Sequence, residues 1–164
     1  MVDHIKLRSY CISDFDALVK LMEGLQNYLV GIDPNKRLRM KKSYGRSYTN
    51  ALLKDIKENR GTILLAEVSG KVVGCIAGII QKQTKENLLE CVPTRRGIIK
   101  ELYINEDYRS YGLGKRLMEK LEFYFKTNKC TVIEVAVFTP NTKAHAFYQQ
   151  RGYINREMNM LKII

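Results

Sequence analysis

The alternation of apolar and polar residues predicts that the first third of the chain folds in the order β-α-α. Residues 4–10 alternate apolar and polar side chains, as a strand with one buried face does. Apolar residues then recur at helical spacing to about residue 28, where glycine, aspartate and proline interrupt the pattern. A basic loop follows, and we expect a second helix over residues 47–58.

The middle of the chain predicts three strands. The clearest signal is a β-hairpin over residues 62–68 and 71–81, joined by a Ser-Gly turn. Residues 82–96 are polar and weakly patterned, which indicates a loop. Residues 97–104 form the next predicted strand, and three consecutive large residues at its end indicate burial on both faces.

The last third predicts helices alternating with strands. An amphipathic helix covers residues 112–126, and an unbroken run rich in β-branched residues at 130–138 predicts a central strand. Asn141 caps a short helix that ends at Gln150, and residues 153–164 are predicted to form a last strand. The predicted fold class is therefore α/β, in the order β-α-α-β-β-β-α-β-α-β.

Length and composition favour one compact domain over residues 1–164. The hydrophobic fraction of 45% is ordinary for a globular protein, and the longest apolar stretch is too short to span a bilayer. Charged residues interrupt every apolar run near the start, unlike a signal peptide. We therefore expect a cytoplasmic protein with no membrane partner.

The cysteine pattern argues against a metal cofactor. The four cysteines are scattered, with no C-x-x-C pair and only two histidines in the chain. Zinc sites usually bring such ligands together in closely spaced pairs. We expect no metal and reduced, mostly packed thiols.

The formal net charge of +11 suits nucleic acid, an anionic surface or a polyanionic cofactor, although scattered surface lysines are the plainer explanation. One basic run has no intervening acid and comprises Lys36, Arg37, Arg39, Lys41, Lys42 and Arg46. Tyr44 and Tyr48 lie nearby and could stack on bases, so a nucleic-acid-binding module is one hypothesis. No recognised nucleic-acid motif is present, which ranks this hypothesis behind an enzyme.

A glycine-bearing loop at the start of the 112–126 helix is the first candidate site. Unpaired N–H groups and partial positive charge gather at a helix N-terminus, and Gly112 and Gly114 let the backbone approach a ligand closely. A phosphate is the expected occupant. The loop is neither a Walker loop nor a dinucleotide fingerprint, because it lacks the sequences that define them.

Taken together, these parts resemble the GCN5-related N-acetyltransferase (GNAT) family. The strand, the Arg-Ser-Tyr-Gly-Leu-Gly loop, the next helix and strand, Asn141, and the Ala-His-Ala-Phe-Tyr and Gly-Tyr segments follow the family's order over residues 97–153. Family loops often carry glycine directly after the arginine, where this chain has serine and tyrosine. The resemblance implies an N-acetyltransferase domain whose mixed central sheet contains a splayed strand pair. It also implies acetyl-CoA as co-substrate, and the amine of a small molecule, peptide or protein as acceptor.

The resemblance also implies which residues bind acetyl-CoA. Backbone N–H groups of the glycine loop would hold the pyrophosphate, and the splayed strand would bond the pantetheine arm and polarise the thioester carbonyl. Asn141 would bond the pantetheine as well as cap its helix, although the cap alone explains an asparagine there. The expected cofactor-binding residues are Leu102, Tyr103, Ile104, Arg109, Ser110, Tyr111, Gly112, Leu113, Gly114, Lys115 and Asn141.

Acetyl transfer to an amine needs a base, because a free alkylamine is protonated at neutral pH. Glu101 is the candidate base and Glu134, on the neighbouring strand, is the reserve. The alternative for Glu101 is a surface carboxylate paired with Lys100 or Arg96.

The departing CoA thiolate needs a proton donor. Tyr148 matches the tyrosine that the family carries on the helix after Asn141, and its alternative is a core aromatic residue. No acyl-enzyme is needed, so we expect direct transfer in a ternary complex. A family-like protein that binds CoA without catalysis is a further alternative.

The acceptor is the least determined part of this hypothesis. Dense positive charge in residues 36–46 disfavours polycationic acceptors, but it does not choose among other amines. The final apolar strand could pair within the domain or with a second copy of the chain, so a homodimer stays open.

Overall fold

The computed structural model describes residues 4–164, in which a five-stranded sheet carries helices on both faces. The elements in chain order are β1 Ile5–Ser9, α1 Phe15–Ile32, α2 Tyr44–Glu58, β2 Thr62–Val68, β3 Lys71–Gln81, α3 Asn87–Glu90, β4 Arg96–Ile104, α4 Leu113–Thr127, β5 Val132–Val135 and α5 Thr142–Gln149. Single 3-10 turns precede α1 and follow β4, at Ile12–Asp14 and Glu106–Tyr108.

The sheet is mixed and opens along one side of β4. Its strand order is β1-β2-β3-β4-β5, with antiparallel pairing from β1 to β4 and parallel pairing between β4 and β5. The parallel pairing is confined to Arg96–Ile99 of β4, which lies beside Val132–Val135. Beyond Ile99, β4 runs on to Ile104 without β5 beside it. The predicted α/β fold, mixed sheet and splayed strand pair are thereby confirmed.

Two apolar layers hold the helices against the sheet. On one face, Phe125 of α4 fills space left by Gly78 and Gly97, where added Cβ atoms would lie 2.6 and 2.5 Å from its ring. On the other face, α1 and α2 bury Leu18, Leu21, Met22 and Leu52 against the strands. Burial of large apolar side chains on both faces is the main force that fixes the helices on the sheet.

A β-bulge in β4 changes the direction in which its side chains point. Ile99 pairs with Gly78 and Glu101 with the adjacent Ala77, so Lys100 is the extra residue. Ile99 consequently packs in the α4 layer, whereas Tyr103 packs in the α1 and α2 layer. In an unbroken strand these positions would share a face. The bulge therefore turns Glu101 away from the apolar α4 layer.

The strand predicted for residues 153–164 is wrong, and β5 is consequently an edge strand of the described sheet rather than a central one. Apolar composition gives strand propensity, but a strand also needs a backbone partner. Here the segment after α5 approaches β5 through the ion pair of Arg156 with Glu134, at 3.1 Å. Its apolar side chains are exposed: Ile154, Met158, Met160, Leu161, Ile163 and Ile164.

The helices differ in extent from the prediction. α1 continues through Gly31 to Ile32, and α3 forms in the segment predicted as a loop. Within residues 4–164, none of the helices combines the length and apolar character needed to cross a membrane. No group of three or more His, Cys, Asp or Glu side chains in the same residues could hold a metal ion.

Candidate active site

The glycine loop presents free backbone donors at the start of α4. Ser110 and Gly112 adopt left-handed backbone conformations, with φ of 68° and 72°, and α4 begins at Leu113. None of the hydrogen bonds among residues 4–164 uses a backbone N–H group of residues 110–115 as donor. Six adjacent donors at the positive end of a helix are suited to a phosphate-bearing ligand such as the pyrophosphate of CoA.

This loop forms one wall of a cavity of about 340 Å³. The cavity lies beside the end of β4 that is paired with β3 but not with β5. The cavity contains every predicted cofactor-binding or catalytic residue except Glu101 and Tyr111: Leu102, Tyr103, Ile104, Arg109, Ser110, Gly112, Leu113, Gly114, Lys115, Asn141 and Tyr148. Tyr111 is 52% exposed and lies outside this lining. The structure thus brings the loop, the strand end and α5 together at one place.

Several lining residues were not predicted from the sequence. They are Leu25, Tyr28, Tyr108, Lys143, Ala144, Phe147 and Arg151. The α5 members could have been found, because Ala144, Phe147, Tyr148 and Arg151 follow the spacing of one helix face. Leu25 and Tyr28 carry no such local signal, since α1 meets the cavity only through the tertiary fold.

The guanidinium of Arg109 lies at the end of β4. Its Nε donates to the carbonyl oxygen of Ile104 at 3.0 Å. The same group lies over the rings of Tyr28 and Tyr103, 5.0 and 5.7 Å from their centroids. Arg109 therefore brings its positive charge to the end of β4 that lacks β5 as a partner.

Asn141 connects two walls of the cavity. Its Oδ1 accepts a hydrogen bond from the backbone N–H of Ala144 at 3.2 Å, so the structure contains the predicted helix cap. The hydroxyl of Tyr28 donates to the same oxygen at 3.3 Å. This contact ties the end of α1 to the start of α5 across the site.

Glu101 is partly buried and accepts a hydrogen bond from the hydroxyl of Tyr48 on α2. The ring of Tyr44 stacks on Tyr48, with centroids 5.1 Å apart and planes inclined by 14°. Burial raises the pKa of Glu101, while the Tyr48 hydrogen bond and the charge of Lys100 oppose part of that rise. This rise moves the pKa of the carboxylate toward neutral pH, and a carboxylate with a higher pKa is a stronger base.

The surface ion pairs suggested as the alternative for Glu101 are not those that form. Lys100 pairs with Asp55 at 2.9 Å, and Arg96 pairs with Glu134 at 3.3 Å. Glu134 is shared with Arg156 as well. Two guanidinium groups thus hold the reserve candidate in ion pairs, which ties its carboxylate to Arg96 and Arg156.

Tyr148 is buried, with 7% of its surface exposed, between two aromatic neighbours. Its ring meets those of Phe147 and Tyr153 edge to face, with centroids 5.4 and 5.5 Å away. No group in the described chain hydrogen-bonds to its hydroxyl. Burial, together with the charge of Glu101, raises the pKa of Tyr148, so the phenol stays protonated and available as a donor at neutral pH.

Comparison with known proteins places this architecture in a family. The sequence model of the acetyltransferase (GNAT) family matches residues 26–153. Two relatives in Methanocaldococcus jannaschii are named uncharacterized N-acetyltransferases. One is 30% identical over 95 residues, covering 57% of this chain and 53% of the relative. The other is 28% identical over 121 residues, covering 72% and 49%. The chain spans about half the length of the curated relatives it matches.

A solved structure shares the fold over nearly the whole chain. Glucosamine-6-phosphate N-acetyltransferase from Arabidopsis thaliana superposes with a TM-score of 0.69 at 19% identity, covering 98% of this chain and 99% of the other. At that identity the likeness concerns the fold alone. The family match over most of the sequence, with the splayed sheet and glycine loop described above, shows that the chain belongs to the acetyltransferase (GNAT) family.

Proposed function

We propose that this protein is an N-acetyltransferase that moves the acetyl group of acetyl-CoA directly to a primary amine in a ternary complex. The observation that carries the proposal is that the glycine loop, with its free backbone N–H groups, and the part of β4 that lacks β5 as a partner line the same cavity. The donors fit a pyrophosphate, and the strand end fits a chain that carries amides.

The chain's own residues would hold the donor as follows. The N–H groups of residues 110–115 bind the pyrophosphate, and Lys115, Lys143 and Arg151 line the same cavity with positive charge. Residues 102–104 offer backbone groups along the arm of the cofactor. A backbone N–H there is suited to the thioester oxygen as it gains negative charge.

The transfer itself forms a C–N bond and breaks the C–S bond of the thioester. Glu101 takes a proton from the ammonium group of the acceptor through water, since its side chain lies outside the cavity lining. As the amide forms, its nitrogen releases a second proton to solvent, while Tyr148 gives a proton to the departing thiolate. Glu101 then loses its proton to solvent, and Tyr148 regains one from it. The two roles are compatible with a carboxylate of raised pKa and a phenol kept protonated by burial.

Release of free CoA in the presence of amines tests the proposal directly. We expect saturable acetyl-CoA binding and CoA release with at least some members of a panel of amino acids, peptides and small amines. Binding without release across the whole panel would favour the non-catalytic alternative. Absence of acetyl-CoA binding would contradict the proposal.

Tyr148→Phe is expected to lower kcat by about 100-fold, the low end of the range for loss of a general acid. The ring stays in place, so the dissociation constant of acetyl-CoA should not change. Tyr153→Phe is the matched control, because its hydroxyl donates to Glu122 at 3.0 Å. Unchanged turnover of Tyr148→Phe by steady-state kinetics would remove the acid role.

Tyr48 acts as a positioning residue for Glu101, and its removal is expected to move a pH profile. Loss of the hydroxyl in Tyr48→Phe removes a bond that favours the carboxylate, so the pKa of Glu101 should rise further. Since the base works deprotonated, the acidic limb of kcat/KM should shift to higher pH.

Tyr44→Phe serves as the control for this shift. Tyr44 stacks on Tyr48 but is not bonded to Glu101. The variant keeps an aromatic ring at this position, so its pH profile of kcat/KM should match that of the parent protein. An equal shift in both variants, or none in Tyr48→Phe, would contradict the positioning role.

A further inference from the structure

The loop between α1 and α2 concentrates positive charge, and Asp33 is its one acidic neighbour in sequence. Its exposed cationic side chains are Lys36, Arg37, Arg39, Lys41 and Lys42. Across residues 4–164 none of these five forms an ion pair, whereas the later Arg46 pairs with Asp16 at 2.7 Å. No acidic residue lies between Asp33 and Asp55. We call these five side chains the basic loop.

The backbone of the basic loop is held in place. Asp33 is buried, and its carboxylate accepts hydrogen bonds from the N–H groups of Asn35, Arg37 and Leu38 at 3.0, 2.7 and 2.8 Å. Gln26 of α1 donates to the carbonyl oxygen of Arg39 at 3.0 Å. Charges on a fixed backbone lose less entropy when they bind than charges on a mobile tail.

Both ends of the basic loop lead into the site. Before it, Leu25 and Tyr28 of α1 line the cavity, and after it Tyr44 and Tyr48 of α2 lead to Glu101. None of the five cations lines the cavity itself. The loop therefore joins the helix that lines the cavity to the helix whose Tyr48 bonds to the proposed base.

The tyrosines decide between two kinds of anionic partner. Binding of single-stranded nucleic acid usually combines basic side chains with aromatic rings that are free to stack on bases. Tyr44 and Tyr48 are not free, because they stack on each other and the second bonds to Glu101. Carboxylates need no stacking surface, and several can contact cations spread over residues 36–42.

We propose that the basic loop recognises acidic residues close to the acceptor amine, so that the acceptor is a peptide or protein segment rich in aspartate and glutamate. This inference rests on the proposed acetyltransferase function. It adds the chemical class of the acceptor, which the family match does not supply. Electrostatic attraction at such a loop should act mainly on acceptor association and KM.

The test uses two peptides that each carry a free N-terminus and one lysine. In the first peptide, aspartate and glutamate residues surround both amines. In the second peptide, serine and glutamine replace the aspartate and glutamate residues, and both amines are kept. With residues 1–164 we expect kcat/KM, measured as CoA release, to be at least about tenfold higher for the acidic peptide at low salt. That advantage should shrink as salt is raised.

The double variant Lys41→Glu with Lys42→Glu should remove most of this advantage by raising KM, without changing the dissociation constant of acetyl-CoA. Lys120→Glu with Lys126→Glu on α4 is the matched control. It changes net charge equally at exposed positions on the other face of the sheet. The control should keep the preference for the acidic peptide.

Other outcomes would overturn the inference. The inference is wrong if the two peptides are turned over equally or if only small amines are turned over. It is also wrong if the preference for the acidic peptide survives the changes at Lys41 and Lys42. Binding of a single-stranded RNA oligomer that depends on Lys41 and Lys42, with no peptide preference, would assign the loop to nucleic acid. Failure to bind acetyl-CoA at all would instead defeat the proposed function itself.

Discussion

Gly112→Asp is expected to raise the dissociation constant of acetyl-CoA at least about 100-fold, because like charges brought together cost several kcal/mol and each 1.4 kcal/mol is tenfold. Gly112 caps α4 with φ of 72°, and no atom lies within 4 Å of the position that a Cβ would take. The new side chain therefore meets no neighbouring atom, and the only strain comes from the left-handed backbone. Its carboxylate would compete with the pyrophosphate for the N–H groups of residues 110–115.

Two controls separate charge from backbone strain. Gly112→Asn has nearly the same size, lacks the charge, and tolerates the left-handed conformation well, so its loss of affinity should be much smaller. Gly70→Asp, in the β2–β3 turn, repeats the change at φ of 79° and in equally open space. It reports the effect on stability alone.

The measurements are calorimetric titration with acetyl-CoA and thermal unfolding of each variant. Equal loss of affinity in the Asn and Asp variants would show that charge is not the cause. Unchanged affinity of Gly112→Asp, with the protein still folded, would move the cofactor site away from the glycine loop.

The glycine loop could be predicted because its signal is contiguous. The strand, the loop and α4 are neighbours in sequence, and Gly112 and Gly114 mark the helix start directly. The position of Arg109 could not be predicted in the same way. Its guanidinium contacts Tyr28, which is distant in sequence and meets it only after α1 packs on the sheet.

The environment of Glu101 depended even more on tertiary structure. The sequence supplied a carboxylate on a strand, but the bulge at Lys100 decides which way it points, and that bulge arises from pairing with β3. In the sequence, Tyr48 is a tyrosine near the basic run that could stack on bases. Only the packing of α2 shows that its hydroxyl is bonded to Glu101.

The wrong prediction for residues 153–164 has the same origin. Strand propensity can be read from apolar and β-branched residues, but pairing requires a free edge in the correct place. In the described structure β5 is short, with four residues, and the segment beside it stays outside the sheet. The apolar run over residues 130–138 predicts a longer strand, because the local sequence does not show where pairing with β4 stops.

Glu101→Gln is expected to lower kcat by about 100- to 10,000-fold, the usual contribution of a general base. Glutamine keeps a side-chain oxygen that can accept the Tyr48 hydrogen bond, so packing should be preserved. The dissociation constant of acetyl-CoA should not change, since Glu101 lies outside the cavity lining. Steady-state kinetics and calorimetric titration together measure both quantities.

The pH profile gives this prediction a second, independent readout. A base accepts a proton only when it is deprotonated, so kcat/KM should fall as pH drops through the pKa of Glu101, which burial has raised. The residual activity of Glu101→Gln should lack that acidic limb. A limb that persists at the same pH would belong to another group.

Glu134→Gln decides between the two candidate bases. Glu134 is held by Arg96 and Arg156, so its loss should reduce stability while changing kcat little. If Glu134→Gln abolishes turnover and Glu101→Gln does not, the base is Glu134 and the bulge in β4 has no catalytic role. If neither variant loses turnover, the acceptor enters already deprotonated, and its amine must then have a pKa near neutrality.

The inferred acidic acceptor makes a general base more necessary. Carboxylates next to an ammonium group raise the pKa of that group, so less of the amine is deprotonated at neutral pH.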